Sequence, residues 1–209
     1  MPSQTFLNLP SEKQKAILSA AKLEFSRVEF SKSSINQIIK DAGISRGSFY
    51  MYFEDKKDLL TVVLSKLIQG VKESLNENIA RSGGDLTETI LGLFDYFYET
   101  YEAKENQDFI KHVMMFIQSE SENPFSPFAG KQPLKHGLFR IIPYLNKDQF
   151  AFQSDEDIRA TVDIVFSVLQ SVLVSAFIQN QSIDESRTRL KEYLKILQQG
   201  YQRKQESKC

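Results

Sequence analysis

The 209 residues, 41% apolar and 25% charged with only 9 Gly and 6 Pro, belong to the ordinary globular class and exclude a disordered or fibrous chain. The single cysteine, Cys209, excludes an intrachain disulfide and a cysteine-based metal cluster, which suits a reducing, cytoplasmic setting. A net charge of −1 conceals an asymmetry, +2 over residues 1–60 against −3 over the remainder, and a nucleic-acid-facing N-terminus has that sign. Met1 to Leu7 lack the cationic start and apolar run of a secretory leader. The most apolar stretch, 164–178, is interrupted by Gln170 and serines. It falls short of the ~20 residues that span a bilayer, so no membrane partner is expected.

In chain order, Ser11 with Gln14 reads as a capping box that opens a helix, whose apolar stripe is Leu18, Ala21, Phe25 and Val28. A second box, Ser34 with Gln37, opens a short helix carrying Ile35, Ile38, Ile39 and Ala42. Gly43 ends it where a left-handed backbone is favoured. Only Ile44 then precedes Ser45, the cap of a third helix over 46–53. Asp55 and Asp58 place carboxylates at the positive end of a fourth helix, which Leu60, Leu64, Leu67, Val71, Leu75 and Ile79 continue for about 25 residues. Ser82-Gly83-Gly84 breaks it. Further helices are expected over 86–103, 108–119, 134–145, 155–181 and 184–204, without strand alternation anywhere. Between 119 and 137 the three prolines and polar residues read as a long loop, either a plain surface connection or a lid carrying Phe125 and Phe128.

The fold class is therefore all-α: an N-terminal three-helix helix-turn-helix domain over 1–56 and a larger helical ligand-binding and dimerisation domain over 57–209. Two short helices joined by a tight glycine turn fit the mechanics of groove reading, one bracing the backbone while the other enters a major groove about 12 Å wide. On the second of them Phe49 and Phe53 face the core and turn Arg46 and Tyr50 outward, with Ser45, Gly47, Ser48 and Tyr52 near them.

The run Ile35-Asn36-Gln37-Ile38-Ile39-Lys40-Asp41-Ala42-Gly43-Ile44-Ser45-Arg46-Gly47-Ser48-Phe49-Tyr50-Met51-Tyr52-Phe53, followed by Glu54-Asp55-Lys56-Lys57-Asp58-Leu59-Leu60, resembles the signature of the TetR family of bacterial regulators. The resemblance covers residues 11–62; Ser48 and Ser34 stand where threonine is common, and both keep the hydroxyl. It implies that Tyr50 and Lys56 contact phosphates, that Arg46, Gly47 and Ser48 face bases, and that Ser33 and Ser34 make further phosphate contacts. Tyr52 stays open between packing and contact. Arg46 is the candidate for a bidentate grip on guanine.

In the second domain Phe97, Tyr101, Met115 and Phe116 could line an apolar cavity, with His112 or Gln170 as orienting polar groups. The same aromatic stripes equally fit a core. His112 and His136 have no metal-ligand spacing around them, and no catalytic motif or cofactor loop is present, so no cofactor, metal or catalytic residue is expected. A lipophilic carrier would explain the aromatics but not the segment from Arg46 to Lys56. The expected partners are a near-palindromic operator DNA, a small apolar effector, and a second copy held through the last two helices. That interface is expected to use Ile164, Val168 and Val172 with the stripe Leu190, Tyr193, Leu194, Leu197 and Tyr201. Family resemblance favours repression over activation.

Overall fold

The computed structural model describes residues 2–121, 140–152 and 154–201. Among them are ten α-helices and no strand: α1 (Gln4–Leu7), α2 (Ser11–Arg27), α3 (Ile35–Asp41), α4 (Arg46–Tyr52), α5 (Lys56–Val63), α6 (Ser65–Arg81), α7 (Leu86–Glu102), α8 (Gln107–Ser121), α9 (Asp155–Gln179) and α10 (Ile183–Tyr201). The chain forms two compact units. The first takes residues 1–69 together with 103–119, and the second takes 70–102 with 120–209. The sequence boundary at 56/57 therefore differs in two respects, since α5 and most of α8 belong with the N-terminal helices.

In the first unit α2 starts at Ser11 as expected, but through other bonds: Pro10 is the N-cap, and the Gln14 amide donates to the Leu7 and Leu9 carbonyls at 3.1 and 2.9 Å. Its buried face is Ile17, Ala20, Ala21, Glu24 and Phe25, which includes Ala21 and Phe25 of the expected stripe, while Leu18 and Val28 are half-buried. An apolar periodicity does not mark Glu24, the one charged member of this face. Glu24, 1% exposed, accepts from Arg27 Nε and Nη2 at 2.8 and 2.9 Å and from the Ser34 amide at 2.8 Å. Burial pushes its pKa up, but the bonds from Arg27 and Ser34 and the guanidinium charge outweigh it and hold the carboxyl below its ordinary value of 4.5.

That contact completes the cap of α3. The Ser34 hydroxyl accepts from the Gln37 amide at 3.4 Å, whereas the Gln37 side chain runs forward to Asp41. Glu24 thus takes the Ser34 amide that the expected box gave to Gln37. At the far end Gly43 adopts φ +63°, and Ile44 N–H returns to the Ile39 carbonyl at 3.0 Å, closing the helix as a left-handed cap. Asp55 and Asp58 form a reciprocal box on α5: Asp58 N–H donates to Asp55 at 2.7 Å and Glu54 N–H to Asp58 at 3.3 Å. The expected long fourth helix is divided at Leu64 into α5 and α6. Thr61 Oγ1 donates back to the Lys57 carbonyl at 3.1 Å, a bond that bends helices.

The second unit packs α7, α9 and α10 around Leu86, Ile90, Phe94 and Phe97, Ile158, Val165, Leu169 and Phe177, and Leu190 and Leu194. Tyr98 donates from α7 to the Gln181 carbonyl at 3.0 Å and lies 3.1 Å from Ser186 Oγ, while Arg187 on α10 grips Asp95 through two bonds of 2.8 and 3.0 Å. With 25 residues, α9 is long and apolar enough to cross a bilayer, contrary to the count made on 164–178 alone. Its apolar face of Ile158, Val162, Val165, Leu169, Leu173 and Phe177 is instead buried in this unit's own core. Of the helix expected over 134–145, residues up to 139 lie outside the described residues, and a 3-10 turn occupies Ile142–Tyr144. The loop of 119–137 with Phe125 and Phe128, His136, and Cys209 also fall there, apart from the loop's first residues in α8.

Gly84 joins α6 to α7 at φ +84°, and a Cβ there would lie 2.5 Å from Asn146 N and 2.7 Å from Tyr144 O. Gly84→Ala is therefore expected to destabilise the chain by about 3 kcal/mol, against about 1 kcal/mol for Gly83→Ala, whose φ is +62° in open space. Urea unfolding of the two variants measures the difference. Because Glu24 titrates below its unfolded value, its contribution is complete above pH 4.5 and is lost as pH falls through the lower folded pKa. Wild type should lose stability over that acid range more steeply than Glu24→Gln, as read by thermal melts from pH 6 downward.

Candidate nucleic-acid interface

The two buried phenylalanines of the second short helix decide what α4 presents. Phe49 and Phe53 are 0% and 1% exposed, with their rings 5.6 Å apart. The opposite face carries Ser45, Arg46, Gly47, Tyr50 and Met51, all exposed, with Ser48 half-buried. Ser45 caps the helix, its hydroxyl accepting from Ser48 N–H at 3.0 Å and lying 2.9 Å from Ser48 Oγ. Around Gly47 a Cβ would meet nothing nearer than Ser45 Oγ at 3.9 Å, so the backbone itself is open to a ligand surface.

Arg46 is held ready. It donates from Nη1 to Asn36 Oδ1 at 2.7 Å and from Nη2 to the Tyr50 hydroxyl at 3.5 Å, with its guanidinium carbon 5.7 Å from the Tyr50 ring centre. The sequence reading did not single out Asn36. Its signal was positional, since an exposed polar residue in the first turn of α3 is within an arginine's reach of α4. Hydroxyls, a guanidinium and a phenol on one convex helix face can donate to phosphates and to base edges alike.

Three residues expected to contact phosphates also bond within the chain. Lys56 donates its ammonium to the carbonyls of Phe30, Ser31 and Ser33 at 2.6, 3.5 and 2.8 Å, 4.7 Å above the Phe30 ring, and this burial lowers its pKa. The lysine clamps the 3-10 turn Phe30–Lys32 that leads into α3. Ser33 is buried and donates to the Phe30 carbonyl at 2.7 Å, while Ser34 is half-buried as the N-cap of α3. Tyr52 is 6% exposed and packs on Phe6 and Phe53, which takes the packing side of its two readings.

The six residues expected around an effector are divided between the units. Phe97 is 2% exposed in the second core, Tyr101 lies flat on Phe177 at 4.2 Å and 13°, and Gln170 is half-buried on α9. His112, Met115 and Phe116 belong to α8 in the first unit. There His112 Nδ1 donates to the Phe25 carbonyl at 3.0 Å, Phe116 meets Phe30 at 4.2 Å beneath Lys57, and Met115 is half-buried. A cavity of about 360 Å³ lies within the second unit between α6 and α7, but its walls are polar, with Glu73, Glu77, Asn78, Asp95, Tyr96 and Glu99 among them, and it contains none of the six.

Residues 17–63 match the family described as bacterial regulatory proteins, tetR family, and residues 85–201 match the tetracyclin repressor-like, C-terminal domain. A curated relative is the HTH-type transcriptional regulator EthR of Mycolicibacterium smegmatis, 27% identical over 124 residues, which cover 59% of this chain and 48% of that protein. Another is the uncharacterized HTH-type transcriptional regulator YvdT of Bacillus subtilis, 38% identical over 68 residues, 32% of each chain. The matched stretches span about half the length of these relatives or less. Among solved structures, SmeT, the repressor of the Stenotrophomonas maltophilia multidrug efflux pump SmeDEF, superposes with a TM-score of 0.63 at 15% identity, covering 95% of this chain and 93% of SmeT. With the second match alone spanning more than half of the sequence and the first centred on the α3–α4 segment, this chain belongs to the TetR family of DNA-binding transcriptional regulators.

Proposed function

We propose that the chain acts in the cytoplasm as a homodimeric repressor that reads a near-palindromic operator through α4 and leaves it when a small, largely apolar effector binds. The observation that carries the DNA side is the split of α4 into a buried Phe49/Phe53 face and an exposed Arg46/Tyr50 face. Arg46 reads bases, guanine being the geometric match for its fork, with Gly47 and Ser48 facing bases beside it, while Ser45 and Tyr50 set register against the sugar-phosphate backbone. Ser33, Ser34 and Lys56 act mainly by fixing the entry to α3, because their polar atoms serve the fold. Tyr52 positions the helix by packing.

For the effector, support comes from two directions. SmeT, which shares the fold, has a solved structure as a complex with triclosan. In this chain α8 is held to α2 by the His112–Phe25 bond, so a ligand that moves Met115 or Phe116 would pull on the reading unit directly. Phe97, Tyr101 and Gln170 belong to the second unit, where Phe97 lies in the core, Tyr101 is stacked on Phe177 and Gln170 is half-buried. By linkage such an effector binds the DNA-bound protein more weakly, by the factor by which it weakens DNA binding.

Dimerisation through α9 and α10 is supported by their uncovered apolar side chains: Ile164, Tyr193 and Ile196 are 53%, 44% and 66% exposed, with Val168 and Leu197 half-buried. Val172, Leu190 and Leu194 serve the chain's own core instead, and the Tyr201 side chain lies outside the described residues. Two copies would set their α4 helices about 34–36 Å apart on successive major grooves.

Binding of the full chain to its own upstream DNA, titrated against salt, tests the reading: affinity should fall steeply between 50 and 200 mM salt. Arg46→Ala is expected to cost about 1–3 kcal/mol of discrimination at one base pair, and Tyr50→Ala to weaken binding to all sequences, the operator most because Arg46 leans on Tyr50. Unchanged discrimination by Arg46→Ala removes that residue from base reading. Ile196→Glu is expected to yield a monomer by sedimentation at micromolar concentration, with operator affinity lost alongside. A dimer that persists moves the interface away from these two helices.

A further inference from the structure

The C-terminal turn of α4 is capped from an unexpected direction. The last four carbonyls of any helix lack intrahelical amide partners, and in a helix of seven residues these are more than half. Phe53 N–H serves the Phe49 carbonyl at 2.9 Å, and the next amide, that of Glu54, turns away to Asp58. The Met51 and Tyr52 carbonyls are instead met by one residue, 48 and 49 positions back in the chain. Ser3 donates from its hydroxyl to Met51 O at 2.6 Å and from its amide to Tyr52 O at 2.9 Å. The same hydroxyl oxygen accepts from Phe6 N–H at 3.3 Å, which starts α1. Phe6, 1% exposed, then seats its ring 4.8 Å from Phe53 and 6.1 Å from Tyr52.

We propose that residues Ser3–Leu7 are a built-in cap for the reading helix and that Ser3 is a positioning residue for sequence discrimination, an inference that rests on α4 being the element that reads DNA. A peptide of seven residues does not hold a helix alone, since isolated helices below ~12 residues are marginal in water. The first turn of α4 is fixed by Ser45, and the last turn, which carries Tyr50, is fixed by Ser3. Tyr50 is also the group on which Arg46 leans, through the 3.5 Å bond and the 5.7 Å ring contact. Fraying of the last turn therefore moves both reading residues while the buried Phe49 stays in place.

The graded test is a series at one position. Ser3→Thr keeps both donors, Ser3→Ala keeps only the amide, and Ser3→Pro removes both, at a φ of −67° that already suits proline. Full-length variants are titrated against the operator mapped with wild type and against an unrelated duplex, and amide exchange is measured across residues 49–53. Ser3→Thr should match wild type, whereas Ser3→Ala should bind operator ~3- to 10-fold more weakly, the equivalent of one lost hydrogen bond, with unrelated DNA weakened less. Ser3→Pro should lose more, and both should speed exchange at the end of α4. Unaltered exchange and discrimination in Ser3→Pro overturn the proposal, and so does a loss of equal size on both duplexes, which marks a purely structural role. If Ser3→Pro does not fold, Ser3→Ala carries the same comparison. A wild-type chain that discriminates no duplex refutes DNA reading by α4, while the exchange rates still decide whether Ser3 is its cap.

Discussion

Taking a carboxylate out of water costs several kcal/mol unless its oxygens are fully occupied, and Glu24 meets that condition with a guanidinium on one side and the Ser34 amide on the other. The second bond fixes the place where α3 begins relative to α2. From there the geometry is passed on in short steps: Ser34 caps α3, Gly43 closes it, Ser45 opens α4, and Phe49 and Phe53 lock the rotation of α4 against the core. With that rotation set, Arg46 and Tyr50 have only one side of the molecule to occupy. Lys56 adds a second clamp on the same entry turn, using an ammonium where Glu24 uses a carboxylate. Both ionic groups work on main-chain atoms, which fixes backbone position more tightly than a side-chain pair at the surface would.

Much of this was legible beforehand because it depends on local chemistry. Capping serines, the glycine at a left-handed turn and the Phe49/Phe53 spacing announce α3 and α4 without any knowledge of their surroundings. The family match over 17–63 agrees with the segment those signals marked out. The parts that escaped depend on long-range partners. Glu24 carried no signal, because nothing in a periodicity says that an amide ten residues on will satisfy a carboxylate. For Lys56 the resemblance implied a phosphate contact, while the carbonyls it grips lie 23 to 26 residues away and left no local signal. Ser3 and α1 carried no periodicity at all, and their role became visible only when the Tyr52 carbonyl was found to need a donor.

The aromatic residues of the second half illustrate the converse. Phe97 and Tyr101 have the composition of a pocket wall, yet one is sealed in the core and the other is stacked on Phe177. A cavity in the same unit is acidic instead, where α6 and α7 approach so closely that a side chain at Gly70 or Gly92 would collide with Tyr96 or Asn78. Apolar stripes report burial. They do not report whether the burial is against the protein itself or against a guest, and that distinction turns on which helices the chain brings together.

The assignment of α8 to the N-terminal unit has a consequence for synthesis. On the ribosome the residues 1–69 emerge first, but the helix that supplies His112 and Phe116 to Phe25 and Phe30 arrives only after residues 70–102 have followed. At roughly 5–20 residues per second that interval is a matter of seconds. Until it closes, the nascent reading head exposes the apolar flank of Phe30 to solvent and to chaperones. A grafting experiment that cut the chain after residue 69 would carry the same open flank into any chimaera. The transferable module is a discontinuous one, and its second piece begins at residue 103.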